Sequence, residues 1–441
     1  MGREARERRF RRWGHQPGWV LPRAIFATLA FFPKAPQKRP KADFVTFSKA
    51  NLGGSIIRHL RDANRPFTNA EFAGSEISIE SRSMWTDRRL LDLFGIAHPI
   101  VQAPMAGAMD TALAVGVARA GGLASLPGGM LSHEQLRDQT EKFRAEAPGK
   151  PLNLNFFTHK PPVHNNARAN AWHNKLVPYY EEFGLDSNVQ VPTRNRAAFD
   201  GTICTVVEQL KPEIVSFHYG LPEATLVKRV KDAGCKIIAS ATTSDEARFL
   251  EDNGCHAVIA QGVEAGGHRG MFLSNEITTQ LGTFALVPQI ADAIELPVIA
   301  SGGIGDARGV AAALLLGAAA VQIGTAYLFC PEAKITSPHR TALKSGGATV
   351  LTNVLTGRLA RGFVNRIIRE LGPISDTVPD FPLASAALAP LHEKAQAGGS
   401  GDFSAMWAGE AAPLGIEMPA FELTQALAEG AQDLLRKTGK N

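Results

Sequence analysis

Eight short apolar runs, each ending in glycine or polar residues, constrain this chain more than any other feature. They read HPIVQAPM (from His98), GLASLPGG, PLNLNFF, EIVSFHYG, KIIASATT, HAVIAQG, LPVIASGG and AAVQIGTAY. Most are followed by helical segments: ALAVGVARA, HEQLRDQTEKFRAEA, EATLVKRVKDAG, SDEARFLEDNG, FALVPQIADAI and ARGVAAALLLGA. The runs are continuous rather than alternating, which suits parallel strands buried on both faces. Eight such units over residues 84–330 match the size of a (β/α)8 TIM barrel. A doubly wound sheet is the alternative, and the count of eight with polar strand ends favours the barrel. The stretch 158–212, between the third and fourth runs, is too long for a plain connection. It carries the helical NAWHNKLVPYYEEFG and is expected to be an insertion capping one end. The barrel unit is expected over 84–345, and 346–441 is expected to form a C-terminal helical cap region, with PAFELTQALAEGAQDLLRK as its clearest helix.

Charge separates the first 83 residues from the rest. The chain is formally +5, yet 1–83 hold 16 Lys and Arg against 7 Asp and Glu, so 84–441 is −4. A nucleic-acid reading of the body therefore loses its support. Three readings of 1–83 stand side by side: a targeting peptide lacking a clean cleavage site, a nucleic-acid or lipid arm built on Arg3 to Arg12, and a disordered extension or mis-assigned start. Met84, followed by TDRRLLDLFGIAHPI, reads as a natural beginning. No run approaches the roughly 18 apolar residues of a membrane span. The four cysteines, Cys204, Cys235, Cys255 and Cys330, make neither a CxxC pair nor a metal spacing, and are expected as reduced thiols in a cytoplasmic protein.

A barrel gathers its chemistry at the carboxyl ends of its strands. There the sequence places Ala103, Pro104 and Met105, then Asn155, His218, Gln261, Gly302, Gly303, Gln322, Gly324 and Thr325. Glycines after the last two strands let backbone N–H groups approach a phosphate, and a helix starting after Asp306 would add its dipole. The competing reading of Gly302 and Gly303 is a tight turn alone. Carboxamides such as Asn155 and Gln261 can donate and accept at a planar heterocycle. In QGVEAGGHRG, Gly266 and Gly267 strip the loop of side chains and present His268, a group able to take a proton from a carbon acid. The alternative is a surface-loop histidine. His218 either lines the substrate site or is a hydrogen-bonded core histidine. His256, at the start of its strand, is read as structural. No HExxH and no His/Asp cluster points to a metal.

QAPMAG, NLNFF, VSFHYG, AQGVEAGGHRG, ASGGIGDARG and QIGTAYLFCPE, in this order and through WAGEAAPLG, resemble the nitronate monooxygenases, formerly 2-nitropropane dioxygenases, of class I. The resemblance implies a barrel holding non-covalent FMN. It implies that Ala103, Pro104 and Met105 lie beside the flavin ring, with Gly266 and Gly267 in the loop beside it. It further implies that Asn155 and Gln261 bond the ring edge, and that Gly302, Gly303, Gln322, Gly324 and Thr325 hold the phosphate and ribityl chain. His268 matches the catalytic histidine. The implied reaction is oxidative denitrification, in which a small nitronate such as propionate 3-nitronate and O2 give a carbonyl compound and nitrite. For a neutral nitroalkane His268 would remove the α-proton. The implied partners are small molecules, with no nucleic acid and no membrane, and the enzyme is expected as a monomer or homodimer. An FMN-dependent enoyl-acyl carrier protein reductase shares the GGH and double-glycine features, and a flavin-free phosphate-binding barrel acting as scaffold or sensor is the rival from another class.

Overall fold

All eight apolar runs form strands in the computed structural model, which describes residues 85–163, 165–188 and 198–438. The basic segment 1–83, with its three readings, lies outside the described residues. In chain order the strands are β1 (Ile100–Gln102), β2 (Ala124–Pro127), β3 (Leu152–Phe157), β4 (Ile214–His218), β5 (Lys236–Ala241), β6 (Ala257–Gln261), a two-residue β7 (Gly267–His268), β8 (Val298–Ser301) and β9 (Ala320–Ile323). A hairpin of β10 (Thr349–Thr352) and β11 (Ala360–Phe363) follows.

The parallel sheet runs β1-β9-β8-β6-β5-β4-β3-β2. Its ends meet where Gln102 N–H donates to Leu123 O at 2.9 Å and Leu123 N–H donates to Ile100 O at 2.8 Å. The fold is thus a (β/α)8 barrel. Burial explains the unbroken apolar runs: every residue of β1, β2 and β8 is buried, because the barrel interior lies on one side and helices on the other.

The helices are α1 (Arg89–Phe94), α2 (Thr111–Arg119), α3 (His133–Glu146), α4 (Asn166–Glu182), α5 (Gly201–Leu210), α6 (Ala224–Asp232), α7 (Ser244–Asp252), α8 (Thr283–Ala291), α9 (Ala307–Leu315), α10 (Ser337–Ser345), α11 (Arg366–Leu371), α12 (Leu383–Ala397) and α13 (Ala420–Thr438). Local chemistry sets many of their starts. Ser132 and Gln135 form a reciprocal capping box on α3. Asp110, Asp200, Thr243 and Asp306 cap α2, α5, α7 and α9 through their side chains.

Two helices sit differently from the sequence reading. The long connection 158–212 holds two helices rather than one, and α5 packs between α3 and α6 as the ring helix that follows β3. Only α4 leaves the ring: Trp172, Leu176, Tyr179 and Tyr180 pack with Leu388, Leu391 and Phe403 in a second apolar cluster. At the other end of the chain, α13 returns to the barrel and lies against α2 and α9. Its buried residues Ala420, Leu423, Leu427, Ala428 and Ala431 fall at helical spacing and join the main core. Burying Leu423 and Leu427 contributes roughly 1.5–3 kcal/mol each. Parts of the segment between β9 and α13 line one cavity together with the carboxyl ends of the strands.

Candidate active site

The ends of β8 and β9 combine glycine main chain with two polar side chains, Gln322 and Thr325. Gly302 and Gly303 have φ of +113° and +69°, the region that favours glycine. A Cβ on Gly302 would stand 2.9 Å from Thr283 Oγ1 and 3.0 Å from Ala265 N. Next to them, the Thr325 hydroxyl accepts from Gly409 N–H at 2.9 Å, so its own hydrogen remains for another acceptor. On β9, Gln322 Oε1 is buried and has no hydrogen-bond partner among the described residues. An acceptor left that way costs about 1–3 kcal/mol, so a donor supplied by a ligand is favoured here. The helix-dipole expectation meets a difference. Asp306 accepts from Arg308 N–H at 2.9 Å and Gly309 N–H at 3.3 Å, so a carboxylate already faces the α9 N-terminus. The glycine backbone, not that dipole, is what this end presents to an anion.

The loop after β6 is fixed by buried polar groups. Gln261 Nε2 donates to His268 O at 3.0 Å while its Oε1 accepts from Gly270 N–H at 2.7 Å. Arg269 is fully buried. Its guanidinium donates to Gly262 O at 2.5 Å, to Gln261 O at 2.7 Å, and to Gln280 Oε1 at 2.9 and 3.0 Å. Burial lowers its pKa to about 10, opposed by the charge of Glu264, so it stays cationic at neutral pH. The buried Glu246 accepts from Thr242 N–H (2.7 Å) and hydroxyl (2.8 Å), and from Phe272 N–H (2.6 Å) and Leu273 N–H (3.1 Å). Glu264 accepts from Thr283 N–H and hydroxyl, each at 2.9 Å, and so caps α8.

His268 therefore does not ride on a bare loop. It lies in β7, which pairs antiparallel with β11, His268 opposite Ala360 and Gly267 opposite Arg361. Gly266 is needed for this closeness: a Cβ there would come within 2.6 Å of the Ala408 and Gly409 backbone. The imidazole sits among Phe381 and Trp407, both at 5.3 Å between ring centroids, and Tyr219 at 6.3 Å. Its Nε2 lies 3.0 Å from Thr356 Oγ1. That hydroxyl donates to Arg358 O at 3.2 Å. Which group donates in the His268–Thr356 pair is set by the imidazole tautomer.

His218, at the end of β4, is hydrogen-bonded on both ring nitrogens and also faces the cavity. Nε2 donates to His268 O at 3.1 Å, and Nδ1 is 3.1 Å from Ser240 Oγ. Burial pushes its pKa down to about 3, with the Arg358 charge adding to the effect. It is neutral at physiological pH and serves the His268 strand as a donor. Arg358 itself lies over the Tyr219 ring at 3.7 Å and donates to Met271 O. On the cap, burial lowers the pKa of His339 to about 4 and its Nε2 donates to Trp407 O at 3.1 Å. His256 accepts Ile237 N–H at 2.9 Å, at the opposite end of the barrel.

One cavity of about 1420 Å³ joins these parts. It is lined by Ala103, Pro104, Met105, Asn155, His218, Gln261, Gly266, Gly267, His268, Gly302, Gly303, Gln322, Gly324 and Thr325, so every candidate read from the sequence reaches the same space. Asn155 Nδ2 donates to Ser216 Oγ at 2.9 Å, which orients its Oδ1 as an acceptor. Sequence reasoning missed Ser240, Thr356 and Trp407, which also line the cavity, and Phe381, which packs on His268. Of these, only Trp407 carried a signal, as the first residue of the WAGE motif. Among the described residues no group of three His, Cys, Asp or Glu side chains could hold a metal ion.

Comparison with known proteins agrees with this geometry. The nitronate monooxygenase family profile spans residues 87–430. A nitronate monooxygenase from Pseudomonas aeruginosa is 41% identical over 345 residues, covering 77% of this chain and 98% of that protein. Among solved structures, a nitroalkane oxidase from Streptomyces ansochromogenes is 34% identical with a TM-score of 0.72, covering 79% of this chain and 99% of that one. FabK from Thermotoga maritima is 26% identical with a TM-score of 0.61, covering 80% and 98%. With a family profile over most of its length and a relative this similar, the chain belongs to the nitronate monooxygenase family of oxidoreductases.

Proposed function

We propose that the protein is an FMN-dependent enzyme that converts alkyl nitronates and O2 to a carbonyl compound and nitrite. The observation that carries the reading is the shared cavity, in which a glycine cradle, two oriented carboxamides and His268 meet. FMN fits the residues present: the orphaned Gln322 Oε1 needs a donor such as a ribityl hydroxyl, and the Gly302-Gly303 backbone, which lines the same cavity without side chains, would face the phosphate. Gly302, Gly303, Gln322, Gly324 and Thr325 would hold the phosphate and ribityl chain. Ala103, Pro104, Met105, Gly266 and Gly267 would flank the ring, and Asn155 and Gln261 would bond its edge. When bound, FMN supplies the one-electron oxidation of the nitronate.

The chain's own residues orient and deprotonate. The His268 imidazole takes the α-proton of a neutral nitroalkane, while Thr356 holds its Nε2. Tyr219, Phe381 and Trp407 pack their rings around the imidazole. Neutral His218 fixes the His268 carbonyl and thus the strand carrying the base. We place the enzyme in the cytoplasm, on the strength of four buried unpaired cysteines. Among the described residues no helix is long and apolar enough to cross a membrane.

A second reading, an FMN-dependent enoyl reductase, draws on the likeness to FabK. One experiment separates the two. The purified protein is loaded with FMN, its visible spectrum recorded, and nitrite measured with ethyl nitronate and propionate 3-nitronate in air. Yellow protein releasing nitrite without NAD(P)H supports the proposal. Yellow protein that releases none and oxidises NAD(P)H with an enoyl thioester supports the second reading. Protein that stays colourless after FMN addition sinks both and favours a flavin-free scaffold.

A further inference from the structure

The turn 356–358 meets His268 at its first residue and carries a cation at its third. Thr356 Oγ1 lies 3.0 Å from His268 Nε2 and donates to Arg358 O at 3.2 Å. Gly357, with φ of +88°, lets the turn press on the segment at 379–381: a Cβ there would stand 2.1 Å from Pro379 O and 2.8 Å from Phe381 N. Phe381 is the residue whose ring packs on the imidazole at 5.3 Å. A shift of this turn would therefore reach His268 through both Thr356 and Phe381.

The Arg358 side chain ties that turn to two other elements. Its guanidinium lies 3.7 Å from the centre of the Tyr219 ring and donates to Met271 O. Tyr219 directly follows β4, and Met271 stands three residues after His268. The charge is thus met by a ring face and a carbonyl. Glu246, committed to bonds with Thr242, Phe272 and Leu273, acts on it only through space. The Arg358 Nε is buried and has no hydrogen-bond partner among the described residues. Holding a guanidinium away from water with so few partners is costly, and an apolar side chain of similar size would avoid that cost. Tyr219 adds a second cost. Its φ of +78° is a strained conformation for a bulky residue, of the kind that persists where the surroundings over-determine it. Its ring stacks on Phe157 at 5.6 Å and meets His268 at 6.3 Å. Two costs at one contact, beside the proposed base, argue that the contact serves position rather than stability.

Resting on the nitronate reading above, we infer that Arg358 is a positioning residue: stacked on Tyr219 and anchored at Met271, it holds the 356–358 turn so that Thr356 fixes the His268 imidazole for proton abstraction. Arg358 is not among the residues lining the cavity, so it acts through Thr356 and Tyr219 and not on the substrate. Misplacing a reacting group by about 1 Å can cost about 100-fold. Releasing the whole turn therefore exceeds the loss of the Thr356 bond alone.

The test uses the FMN-loaded full-length protein carrying Arg358→Met, which removes the charge, or Arg358→Lys, which keeps a cation for the ring. Nitrite release from nitroethane and from ethyl nitronate is measured beside flavin content and thermal melting. For Arg358→Met the expected result is a fall in kcat/KM of roughly 10- to 100-fold with nitroethane and less than about threefold with ethyl nitronate. Flavin content should hold, and the melting temperature should stay or rise because a buried charge is gone. Arg358→Lys should return nitroethane to within about fivefold of the unmodified protein. Tyr219→Leu should copy Arg358→Met, and the double variant should lose no more than either alone. With isotope-labelled histidine, the His268 ring signals, identified by their loss in His268→Asn, should shift in Arg358→Met. Equal losses on both substrates, or flavin loss with a lowered melting temperature in both Arg358 variants, would make Arg358 a structural brace and overturn the inference. An unchanged nitroethane rate, or additive losses in the double variant, overturns it as well. Should Arg358→Met fail to fold, Tyr219→Leu decides by the same substrate split. Nitrite from neither substrate with the unmodified flavoprotein overturns the nitronate reading and this inference with it.

Discussion

On the barrel side of the cavity, main chain at Gly302, Gly303 and Gly324 stands beside the polar side chains of Asn155, Gln261, Gln322 and Thr325, and the loop at 261–262 is held by buried Arg269. On the cap side the contacts are made by side chains. Thr356, Phe381 and Trp407 reach His268 from irregular segments, and α12 lines the cavity with Ala386 and Ala389 beside the polar His392, Glu393 and Gln396. The difference teaches how the two tasks divide. A phosphate is recognised by many weak donors in a fixed backbone, which tolerates no added atoms. A base and a substrate are recognised by individual side chains, which can be changed one at a time without dismantling the barrel.

The largest effect should come from breaking the main-chain wall. Gly303→Asp adds a side chain where φ is +69° and the Glu264 side chain already lies 3.6–3.9 Å from a Cβ. It also sets a carboxylate beside the proposed phosphate. Like-charge juxtaposition costs several kcal/mol, so flavin affinity should fall roughly 100-fold or more. The readout is the ratio of flavin to protein absorbance after purification, with circular dichroism to verify the fold. Full yellow colour in a folded Gly303→Asp protein would remove the phosphate from this end.

On the side-chain wall, His268→Asn should cut kcat/KM for neutral nitroalkanes by about 10²–10⁴-fold, the usual weight of a general base. Preformed nitronates should lose much less, since their carbon is already deprotonated, and flavin content should stay constant. Burial holds His218 at a pKa of about 3, so it stays uncharged as pH rises from 5 to 8. His218→Gln should therefore leave the shape of the rate profile between pH 5 and 8 unchanged. Equal losses on both substrate types would instead assign His268 to anion positioning.

The smallest effect sharpens the comparison. Thr356→Val removes one hydrogen bond to Nε2 and should lower kcat/KM for neutral nitroalkanes about 3–10-fold, as one net bond of roughly 0.5–1.5 kcal/mol allows. The pH profile should shift while flavin content does not, and Thr356→Ser should restore the rate. Loss of flavin in Thr356→Val would show that the two walls are not separable.

The sequence was most legible where structure is periodic. The strands announce themselves because burial on both faces demands unbroken apolar runs, and the rim residues follow at once from where those runs stop. The hairpin was hidden because TVLT and ARGF are short, and Arg361 is a buried cation that breaks the apolar signal. Helix α12 follows Pro382 and contains Pro390, both of which mask a helical pattern. Helix α5 was absorbed into the insertion because one connection carries two helices in succession. Thr356 and Phe381 have no spacing that points to His268; only the fold brings residues about 90 and 110 positions away onto that ring.

The pairing of β7 with β11 also dictates an order of assembly. When a ribosome has released the segment carrying His268, the strand that fixes it is still some ninety residues from being made. The last ring helix, α13, follows later still and fills the gap between α2 and α9. Contacts this distant in sequence form slowly. A nascent chain can therefore complete all eight barrel strands before the strand that pairs with His268 is made.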